Sequence, residues 1–515
     1  MTGRVIALLF FLFLLGASRE PPWGDAQISY DTTRALVDRH ELQIFTNVPS
    51  YFYTVRDGRR YGPAALGNAI AHVPSYLAYK ALRHIPNVPD LPLFALTSHL
   101  SSSALMAIAC GLFLSLCRRR GASERLSVIM TLVLGLATIA FCYARSPYSE
   151  ALQTAALLFF VERTLAQGSV MTGGGMAGLG VAAGVLLNTK LAYAVVLPIA
   201  AVHVIAMQWQ ARREWPRIAR GAVIAVSAFA PFVALVLLHD VVKTGSMFQT
   251  GYDEGKDMFS GELIPALYGY LLSPGKSMFL YSPPLILAVM GLRTAWRRQR
   301  GETACLLAII AAVMLISGKY LIWHGGYSWG PRYLVPLTPL VLLLALPWLA
   351  GALARGRVWL RGAAFALLVA SGCCVQLLGA AFYWDHYVRI LVTVQEQTGG
   401  AAWSPDFLAD GYYVPQFSPI SGHWWLLRHY LRDDPDLNRD APWQLLMNAR
   451  FDLSPHWSRL RLDWWGLDWF AGTPAAQTLG WMIIGLLGVG VIVSAASLRR
   501  TLFLPEQREQ LASPL

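Results

Sequence analysis

The first candidate for chemistry is a carboxylate in the polar segment that follows the apolar N-terminus. Asp25 comes directly after Pro-Pro-Trp-Gly at 21–24, a few residues beyond an apolar run at 5–15. A carboxylate at the mouth of a membrane bundle is costly to desolvate, so its presence there favours a functional role such as general base. Residues 26–37 could form a helix with Asp25 at its N-cap, and a purely capping role is equally open. Asp31 is the second candidate for the base.

A second candidate is the turn Ser-Pro-Gly-Lys at 273–276, just before Tyr-Ser-Pro-Pro at 281–284. Such a turn can present backbone N–H groups and the ammonium of Lys276 to an anion. Its spacing is not that of a P-loop. The alternative is a turn whose lysine extends to the membrane interface.

The third candidate is the aromatic, glycine-rich stretch 323–333, with the sequence WHGGYSWGPRY. Arg332 lies on the predicted outer side, against the general bias of basic residues, so we expect it to hold a phosphate. The glycine pairs indicate a backbone shaped for close approach. An interfacial belt alone would also explain the aromatic residues, and His324 is more typical of a structural hydrogen bond than of catalysis.

Glu150 begins an apolar segment from the same outer side. A carboxylate interacts favourably with the positive end of the helix dipole, so one interpretation is a helix cap that faces Arg145. Alternatively, it lies at the bottom of a cavity shared with Asp25.

The elements that must position these groups are membrane helices. The 515 residues are 55% hydrophobic and 14% charged, with a mean hydropathy of +0.44, whereas soluble domains carry about 25% charged residues. Arginine clusters fall in short gaps between apolar runs, so the net charge of +12 orients the chain in a membrane and indicates no nucleic-acid partner. These clusters are at 118–120, 212–213, 297–300, 355–361 and 499–500. The six cysteines lie in or beside apolar runs and predict neither a disulfide framework nor a metal site.

Apolar length predicts an all-α polytopic protein with about twelve spans. We place them near 3–19, 93–117, 125–143, 148–166, 173–188, 190–208, 218–241, 279–295, 303–321, 333–353, 360–383 and 476–497. Segment 63–81 is interpreted as an interfacial helix, because counting it as a span would put arginine clusters outside. Both termini are then cytoplasmic. We expect the first helix to be retained, although a cleaved signal peptide is the alternative.

This topology predicts four outer segments, at 19–92, 243–278, 320–332 and 384–473. We divide the chain into a transmembrane catalytic module at 1–383, an extracytoplasmic segment at 384–475, and a last span with a cytoplasmic tail at 476–515. The fold of the segment 384–475 is left open between short helices and strands. The sequence shows no internal repeat of 20–50 residues. It also lacks the paired broken helices that would indicate an inverted-repeat transporter.

Together these motifs resemble the GT-C superfamily of polyprenyl-phosphate-sugar-dependent glycosyltransferases, the group of aminoarabinose transferases and protein O-mannosyltransferases. The resemblance covers most of 1–383 and rests on a combination of short patterns rather than on any single one. They are Gly24-Asp25 with Ala35-Leu36-Val37, Ser-Pro-Gly-Lys at 273–276, Tyr-Ser-Pro-Pro at 281–284, Trp-Gly-Pro-Arg-Tyr at 329–333, Thr-Gly-Tyr at 250–252 and Ser-Pro-Ile at 418–420.

The resemblance implies a GT-C-like bundle with outer juxtamembrane helices and an inverting transfer of sugar to an envelope acceptor hydroxyl. Asp25 would be the general base, with Asp31 and Glu150 as helpers. Arg332, Lys276 and Arg59 would bind the donor phosphate, while sugar and acceptor would contact His324, Tyr327, Trp329 and Tyr333. The acceptor would be a glycan, a lipid or a protein. Asp25-Ala26 stands where the family has Asp-Glu, so no cofactor is expected and a divalent metal is possible but not expected.

The expected location is the bacterial inner membrane, with the active site on the periplasmic side and membrane lipid around the bundle. The main alternative is a lipid or sugar transporter or flippase of envelope biogenesis. A transporter would carry ionisable groups through the middle of the membrane, whereas this chain concentrates them at the predicted outer face. A non-enzymatic assembly factor, in which Asp25 is dispensable, is the third hypothesis.

Overall fold

The computed structural model describes residues 1–251, 258–353, 358–398, 411–445 and 449–503. Within these residues the regular structure is helical apart from one two-stranded hairpin. The protein is therefore an all-α polytopic membrane protein, as the composition predicted. Tyr252, the arginines at 355 and 357, and the tail from 504 onward lie outside the described residues.

The first third of the chain forms an apolar helix, a polar outer segment and the next membrane helices. Its elements are α1 (Thr2–Leu15), α2 (Asp25–Arg39), β1 (Thr54–Arg56), β2 (Arg59–Tyr61), α3 (Leu66–Ala71), α4 (Val73–Leu82), α5 (Asp90–Ser98), α6 (Leu100–Arg119), α7 (Glu124–Leu136), α8 (Ala140–Ala144), α9 (Glu150–Ser169) and α10 (Gly173–Thr189). The strands pair antiparallel with Thr54 opposite Tyr61. Asp57 and Gly58 have φ values of 50° and 72° at the hairpin turn, which suits a tight two-residue connection.

The remaining helices complete the bundle and the second outer segment. They are α11 (Leu197–Gln210), α12 (Trp215–Thr244), α13 (Leu263–Leu272), α14 (Met278–Tyr281), α15 (Ile286–Arg298), α16 (Arg300–Lys319), α17 (Thr338–Leu353), α18 (Val358–Ala381), α19 (Trp384–Gln397), α20 (Pro419–Arg432), α21 (Ser454–Arg459), α22 (Gly466–Phe470) and α23 (Pro474–Phe503). Short 3-10 helices precede α11, α15 and α17, at Leu191–Val196, Pro283–Leu285 and Arg332–Leu337.

Among the described residues, seven helical segments are long and apolar enough to cross a membrane: Asp90–Arg119, Leu191–Gln210, Trp215–Thr244, Arg300–Lys319, Arg332–Gly351, Arg361–Ala381 and Pro474–Leu502. Each coincides with one predicted span. The shorter apolar helices Thr2–Leu15 and Gly173–Thr189 coincide with two more predictions, and a third, Leu263–Leu272, was not predicted as a span. The count of twelve stays a prediction.

Several predicted helices are interrupted. The span predicted at 279–295 is divided into α14, a 3-10 turn and α15, because the two prolines at 283 and 284 remove backbone donors. The span at 125–143 is divided between α7 and α8. The interfacial segment 63–81 is two short helices, α3 and α4, that meet at His72.

The first helix is an integral part of the bundle. Its Val5, Leu9 and Phe13 are fully buried, and it packs on α6 and α23. At its end, the carbonyl oxygen of Leu15 accepts hydrogen bonds from the indole N–H groups of Trp464 and Trp465, at 2.8 and 3.1 Å. Retention of this helix in the mature protein stays a prediction.

A buried ion pair joins the residue after α8 to the loop between α21 and α22. Arg145 Nη1 lies 3.2 Å from Asp463 Oδ2, and the same guanidinium also donates to the carbonyl oxygen of Ala380. Ser18 Oγ donates to the other oxygen of Asp463 at 2.6 Å. The interpretation in which Glu150 faces Arg145 is therefore wrong, because Arg145 is engaged with Asp463. The segment that follows α18 adds short helices around its own hydrophobic cluster, which includes Tyr387, Trp425 and Trp443.

Candidate active site

The structure brings three of the predicted site residues together around one guanidinium. Arg332 Nη1 lies 3.0 Å from Asp25 Oδ2, and Arg332 Nε lies 2.5 Å from Glu150 Oε1. The side chains of Arg332 and Glu150 are 11% and 2% exposed, whereas that of Asp25 is 59% exposed. One cation thus joins a buried carboxylate to an exposed one, and the three residues come from separate parts of the chain. We call this group the Arg332 cluster.

Asp25 reaches Arg332 because it does not cap its own helix. It is the first residue of α2, and the N-cap position belongs to Gly24, which has a φ of 56° and makes no side-chain cap. The prediction that Asp25 is the N-cap is wrong by one position. A Cβ atom at residue 24 would lie 3.2 Å from the Phe52 ring, so a glycine suits both the positive φ and the space. The carboxylate of Asp25 is left to point outward.

Glu150 is held at the base of the cluster. It begins α9, where a carboxylate interacts favourably with the helix dipole. Its Oε2 atom is buried and has no hydrogen-bond partner among the described residues. An unpaired buried acceptor is unfavourable, so this oxygen is available to a hydroxyl or N–H donor that enters the site.

Arg332 is positioned by a loop with three glycines at positive φ, namely Gly325 at 74°, Gly326 at 69° and Gly330 at 59°. A Cβ atom on Gly330 would lie 2.6 Å from the Tyr281 ring. The glycines predicted a close approach to the backbone, and at Gly330 the group that approaches is this tyrosine of the same chain. The Arg332 guanidinium lies 4.7 Å from the centroid of the Tyr148 ring. This cation–π contact helps to fix its plane.

Lys276 stabilises the same loop through hydrogen bonds to its backbone. It is buried, and its Nζ donates to the carbonyl oxygens of Gly326, Ser328 and Gly330 at 3.1–3.3 Å. Desolvation, assisted by the charge of Arg332, lowers the pKa of Lys276 to about 7. In this structure Lys276 therefore stabilises the loop that carries Arg332, and its ammonium is occupied by backbone carbonyl groups.

The other predicted ligands are placed differently. Arg59 is exposed on the hairpin opposite Arg56, and no contact of the described residues joins it to the Arg332 cluster. His324 stacks on Tyr412 at 4.6 Å, and its Nδ1 lies 2.7 Å from the Tyr412 hydroxyl. Burial lowers the pKa of His324 to about 3, so the imidazole is neutral at ordinary pH.

The aromatic residues of the stretch 323–333 also separate into different roles. Trp329 is fully buried against Tyr281, so the expected contact with sugar does not fit this structure. Tyr327 is partly buried, and burial raises its pKa to about 12. Tyr333 directly follows Arg332 in the sequence. Its ring makes a cation–π contact with a lysine that was not among the predicted site residues.

That residue is Lys190, whose Nζ lies 4.0 Å from the Tyr333 ring centroid and 5.9 Å from that of Tyr320. Lys190 follows the last residue of α10 and is the first residue of the span predicted at 190–208. Its signal was the same one that identified Arg332, a basic residue on the predicted outer side. The site therefore has a second cation beside Arg332.

A cleft of about 590 Å³ opens beside the cluster, between the first outer segment and the segment that begins with α19. Its walls include Trp23, Gln27, Asp31, Asn47, Tyr383 and Asp385. The hydroxyl groups of Tyr383 and Tyr148 lie 3.3 Å apart, so the Tyr148 ring, which contacts Arg332, links the cleft wall to the Arg332 cluster. We call this feature the outer cleft.

Asp31 belongs to the outer cleft and not to the Arg332 cluster. It lies six residues after Asp25 in α2, about 9 Å further along the helix axis. It is buried, its Oδ2 has no hydrogen-bond partner among the described residues, and Arg34 lies 3.9 Å from its Oδ1. Burial raises the pKa of Asp31 to about 6.

No group of three or more His, Cys, Asp or Glu side chains in the described part of the chain could hold a metal ion. The carboxylates of Asp25 and Glu150 are both engaged by Arg332. The single guanidinium therefore balances one of their two negative charges in this arrangement.

Comparison with known proteins finds similarity in structure. No family model and no curated protein matches the sequence. The similarity is to solved structures and extends over most of this chain. ArnT from Cupriavidus metallidurans in the apo state is 14% identical and has a TM-score of 0.48, with 94% of this chain and 76% of that chain covered.

Two further structures extend the comparison. The same ArnT bound to undecaprenyl phosphate is 15% identical, with a TM-score of 0.49 and coverage of 90% of this chain and 84% of that one. The oligosaccharyltransferase of Archaeoglobus fulgidus, tethered with an acceptor peptide, is 13% identical, with a TM-score of 0.46 and coverage of 82% and 62%. These similarities concern the course of the chain and assign no residue.

Proposed function

We propose that this protein is a membrane glycosyltransferase that moves a sugar from a polyprenyl-phosphate donor to an acceptor hydroxyl on the extracytoplasmic side. The observation that carries the proposal is the Arg332 cluster, in which a nearly buried guanidinium holds an exposed carboxylate, Asp25. In this proposal the chain crosses a bacterial inner membrane about twelve times. Both termini are cytoplasmic, and the site faces the periplasm.

The donor phosphate binds to Arg332 beside the Asp25 carboxylate. Asp25 is mostly exposed, so its ion pair with Arg332 is weak and easily exchanged. Glu150 is buried and keeps the guanidinium in place. Lys190 supplies the second positive charge from its position over Tyr333. Two cations around one phosphate stabilise the charge that develops on it as the sugar leaves.

Asp25 then acts as the general base. It takes the proton of the acceptor hydroxyl as the acceptor oxygen forms a bond to the anomeric carbon. The bond between that carbon and the phosphate oxygen breaks, and its electron pair leaves with the lipid phosphate. Direct attack from the opposite face inverts the anomeric configuration. The reaction in this form requires neither a nucleotide sugar nor a metal ion.

The test is turnover by the purified protein in lipid nanodiscs with a panel of polyprenyl-phosphate sugars and an envelope extract as acceptor. We expect release of polyprenyl phosphate and an inverted anomeric centre in the product by NMR. Asp25→Asn should abolish release. The matched control is Asp57→Asn, which makes the same change at a hairpin residue that is 84% exposed.

Three results would count against the proposal. Retention of configuration would exclude direct attack with Asp25 as the base. Equal release by wild type and Asp25→Asn would remove Asp25 from the mechanism. Absence of turnover with every donor would favour a transporter or an assembly factor.

A further inference from the structure

The walls of the outer cleft carry hydrogen-bonding groups of several kinds on rigid supports. Gln27 and Asp31 project from α2, Asn47 comes from the loop after it, and Asp385 projects from α19. The side-chain amides of Gln27 and Asn47 are joined by a hydrogen bond of 2.7 Å. Amide, carboxylate and guanidinium groups together donate to and accept from hydroxyl groups in several directions. This combination suits a ligand rich in hydroxyl groups.

Aromatic rings line the same cleft. Trp23 is 42% exposed at its wall, and Phe94 and Tyr383 are also part of the lining. An indole ring combines a broad apolar face with an N–H donor. The apolar C–H faces of a sugar ring pack well on such a surface, while its hydroxyl groups reach the polar residues around it.

Asp31 is a buried carboxylate with one oxygen that lacks a hydrogen-bond partner in the described part of the chain, although the side chains of Thr46 and Gln27 also interact with it. Its side chain is more than nine-tenths buried, and its Oδ2 has no hydrogen-bond partner among the described residues, although Arg34 lies 3.9 Å from Oδ1. An unpaired buried acceptor is unfavourable in the free protein. A ligand hydroxyl that donates to Oδ2 would remove this penalty and would gain a charge-assisted hydrogen bond.

The charges of the cleft are balanced. Three acidic residues, Glu20, Asp31 and Asp385, face three arginines at positions 34, 389 and 459. Arg389 is already paired with Asp385. A polyanion or a polycation would meet as many like charges as opposite ones, so the lining favours an uncharged ligand.

We propose that the outer cleft binds an uncharged saccharide acceptor, with Asp31 accepting a hydrogen bond from one of its hydroxyl groups and Trp23 packing on its ring. Trp23 directly precedes Gly24 and Asp25 in the chain, and Tyr383 adjoins the Tyr148 ring beneath Arg332. These two links connect the cleft with the Arg332 cluster, one through the chain and one through the paired tyrosines. The inference deepens the proposed transferase function and rests on it.

The test measures binding by the purified full-length protein in nanodiscs to three probes. They are an array of uncharged oligosaccharides, the same sugars as glycolipids in phosphatidylcholine vesicles, and an array of Ser- and Thr-containing peptides. We expect wild type and Asp25→Asn to bind particular saccharides. Asp31→Asn and Trp23→Ala should each weaken this binding about tenfold or more, the effect of losing one charge-assisted hydrogen bond or a ring contact. The control Asp57→Asn should bind as wild type does.

The arms separate the sources of the sugar. Binding to both saccharide probes indicates a glycan, and binding to vesicles alone indicates a glycolipid head group. Both results support the proposal only if the Asp31 and Trp23 variants lose that binding. Peptide binding in place of sugar binding, no saccharide binding at all, or equal binding by all variants would overturn it.

Donor turnover in the same preparation separates this inference from the proposed function. Release of polyprenyl phosphate without saccharide binding would refute the outer-cleft assignment alone. Saccharide binding that depends on Asp31, without turnover on any donor, would refute the transferase and leave a carbohydrate-binding cleft.

Discussion

The two carboxylates that share Arg332 are expected to respond in opposite ways to the same chemical change. The changes are Asp25→Asn and Glu150→Gln, each of which replaces a carboxylate by the amide of the same shape. Asp25 is 59% exposed in its pair with Arg332, and exposed ion pairs contribute about 0–1 kcal/mol. We therefore expect Asp25→Asn to lower the free energy of unfolding by less than about 1 kcal/mol.

The effect of Asp25→Asn on the reaction should be much larger. A general base contributes a factor of about 10²–10⁴ to the rate. That factor corresponds to about 2.7–5.4 kcal/mol of activation free energy, at about 1.36 kcal/mol per tenfold change. The loss of activity should thus exceed the loss of stability by a clear margin, because the side chain is exposed in the resting protein and is needed only in the reaction.

Glu150→Gln should chiefly lower stability. Glu150 is 2% exposed and Arg332 is 11% exposed, and removing one partner of a buried pair costs about 3–5 kcal/mol. The amide oxygen of Gln can still accept from Arg332 Nε, and Asp25 still balances part of the charge. We expect a loss at the lower end, about 3 kcal/mol.

The assay combines thermal unfolding in nanodiscs with the initial rate of polyprenyl-phosphate release, measured for wild type, both variants and the Asp57→Asn control. Asp25→Asn should have nearly the same unfolding temperature as the wild type. Its rate of polyprenyl-phosphate release should be lower by a factor of about 100 or more. The reasoning is refuted if Asp25→Asn loses as much stability as Glu150→Gln. It is also refuted if Asp25→Asn keeps its rate within about threefold, far below the effect of a lost base.

Three further predictions concern groups around the site. Arg332→Lys should reduce donor affinity and rate by about tenfold or more, because an ammonium cannot span two carboxylates or bind a phosphate with two parallel donors; equal kinetics would contradict this. Burial raises the pKa of Asp31 to about 6, so the folded protein binds this proton more tightly than the unfolded chain does. The charged carboxylate therefore opposes folding above about pH 6 and not below about pH 4. Asp31→Asn should accordingly raise the unfolding midpoint at pH 7.5 and have little effect at pH 4, and the reverse order would refute the argument. Gly330→Ala should lower stability and activity more than its control Gly326→Ala, since its Cβ would meet the Tyr281 ring whereas that of residue 326 meets nothing within 4 Å; the strain of positive φ alone is about 1–2 kcal/mol in both.

Sequence reasoning identified the members of the site better than their contacts. Asp25, Glu150 and Arg332 each stood out because a charge at a membrane boundary needs a physical reason. Their pairing was not predictable, since 307 and 182 residues separate Arg332 from its two partners. Only the packing of the helices determines which of these residues meet.

Lys276 and Lys190 show where prediction from the sequence failed. A turn with a lysine predicted an anion site at Lys276, but the nearest acceptors are the carbonyl groups of the loop at 326–330. Three positive φ angles aim these carbonyl groups at the lysine, and composition does not reveal such angles. Lys190 was missed because it is a single basic residue at the start of the apolar run 190–208, and it was included in the span predicted there. The spans themselves were predictable where the apolar run is unbroken, as in Trp215–Thr244 and Arg300–Lys319.

The distribution of charge explains why one guanidinium should contact both carboxylates. Before the proposed reaction, Asp25, Glu150 and the donor phosphate diester carry three negative charges against the positive charges of Arg332 and Lys190. Afterwards Asp25 is protonated and the lipid phosphate has gained one negative charge, so the total is unchanged. Negative charge has moved from one neighbour of Arg332 to another. A fixed cation between the two positions stabilises both states and the transition state between them without reorganisation, and Glu150 keeps that cation fixed throughout because its buried carboxylate takes no part in the transfer.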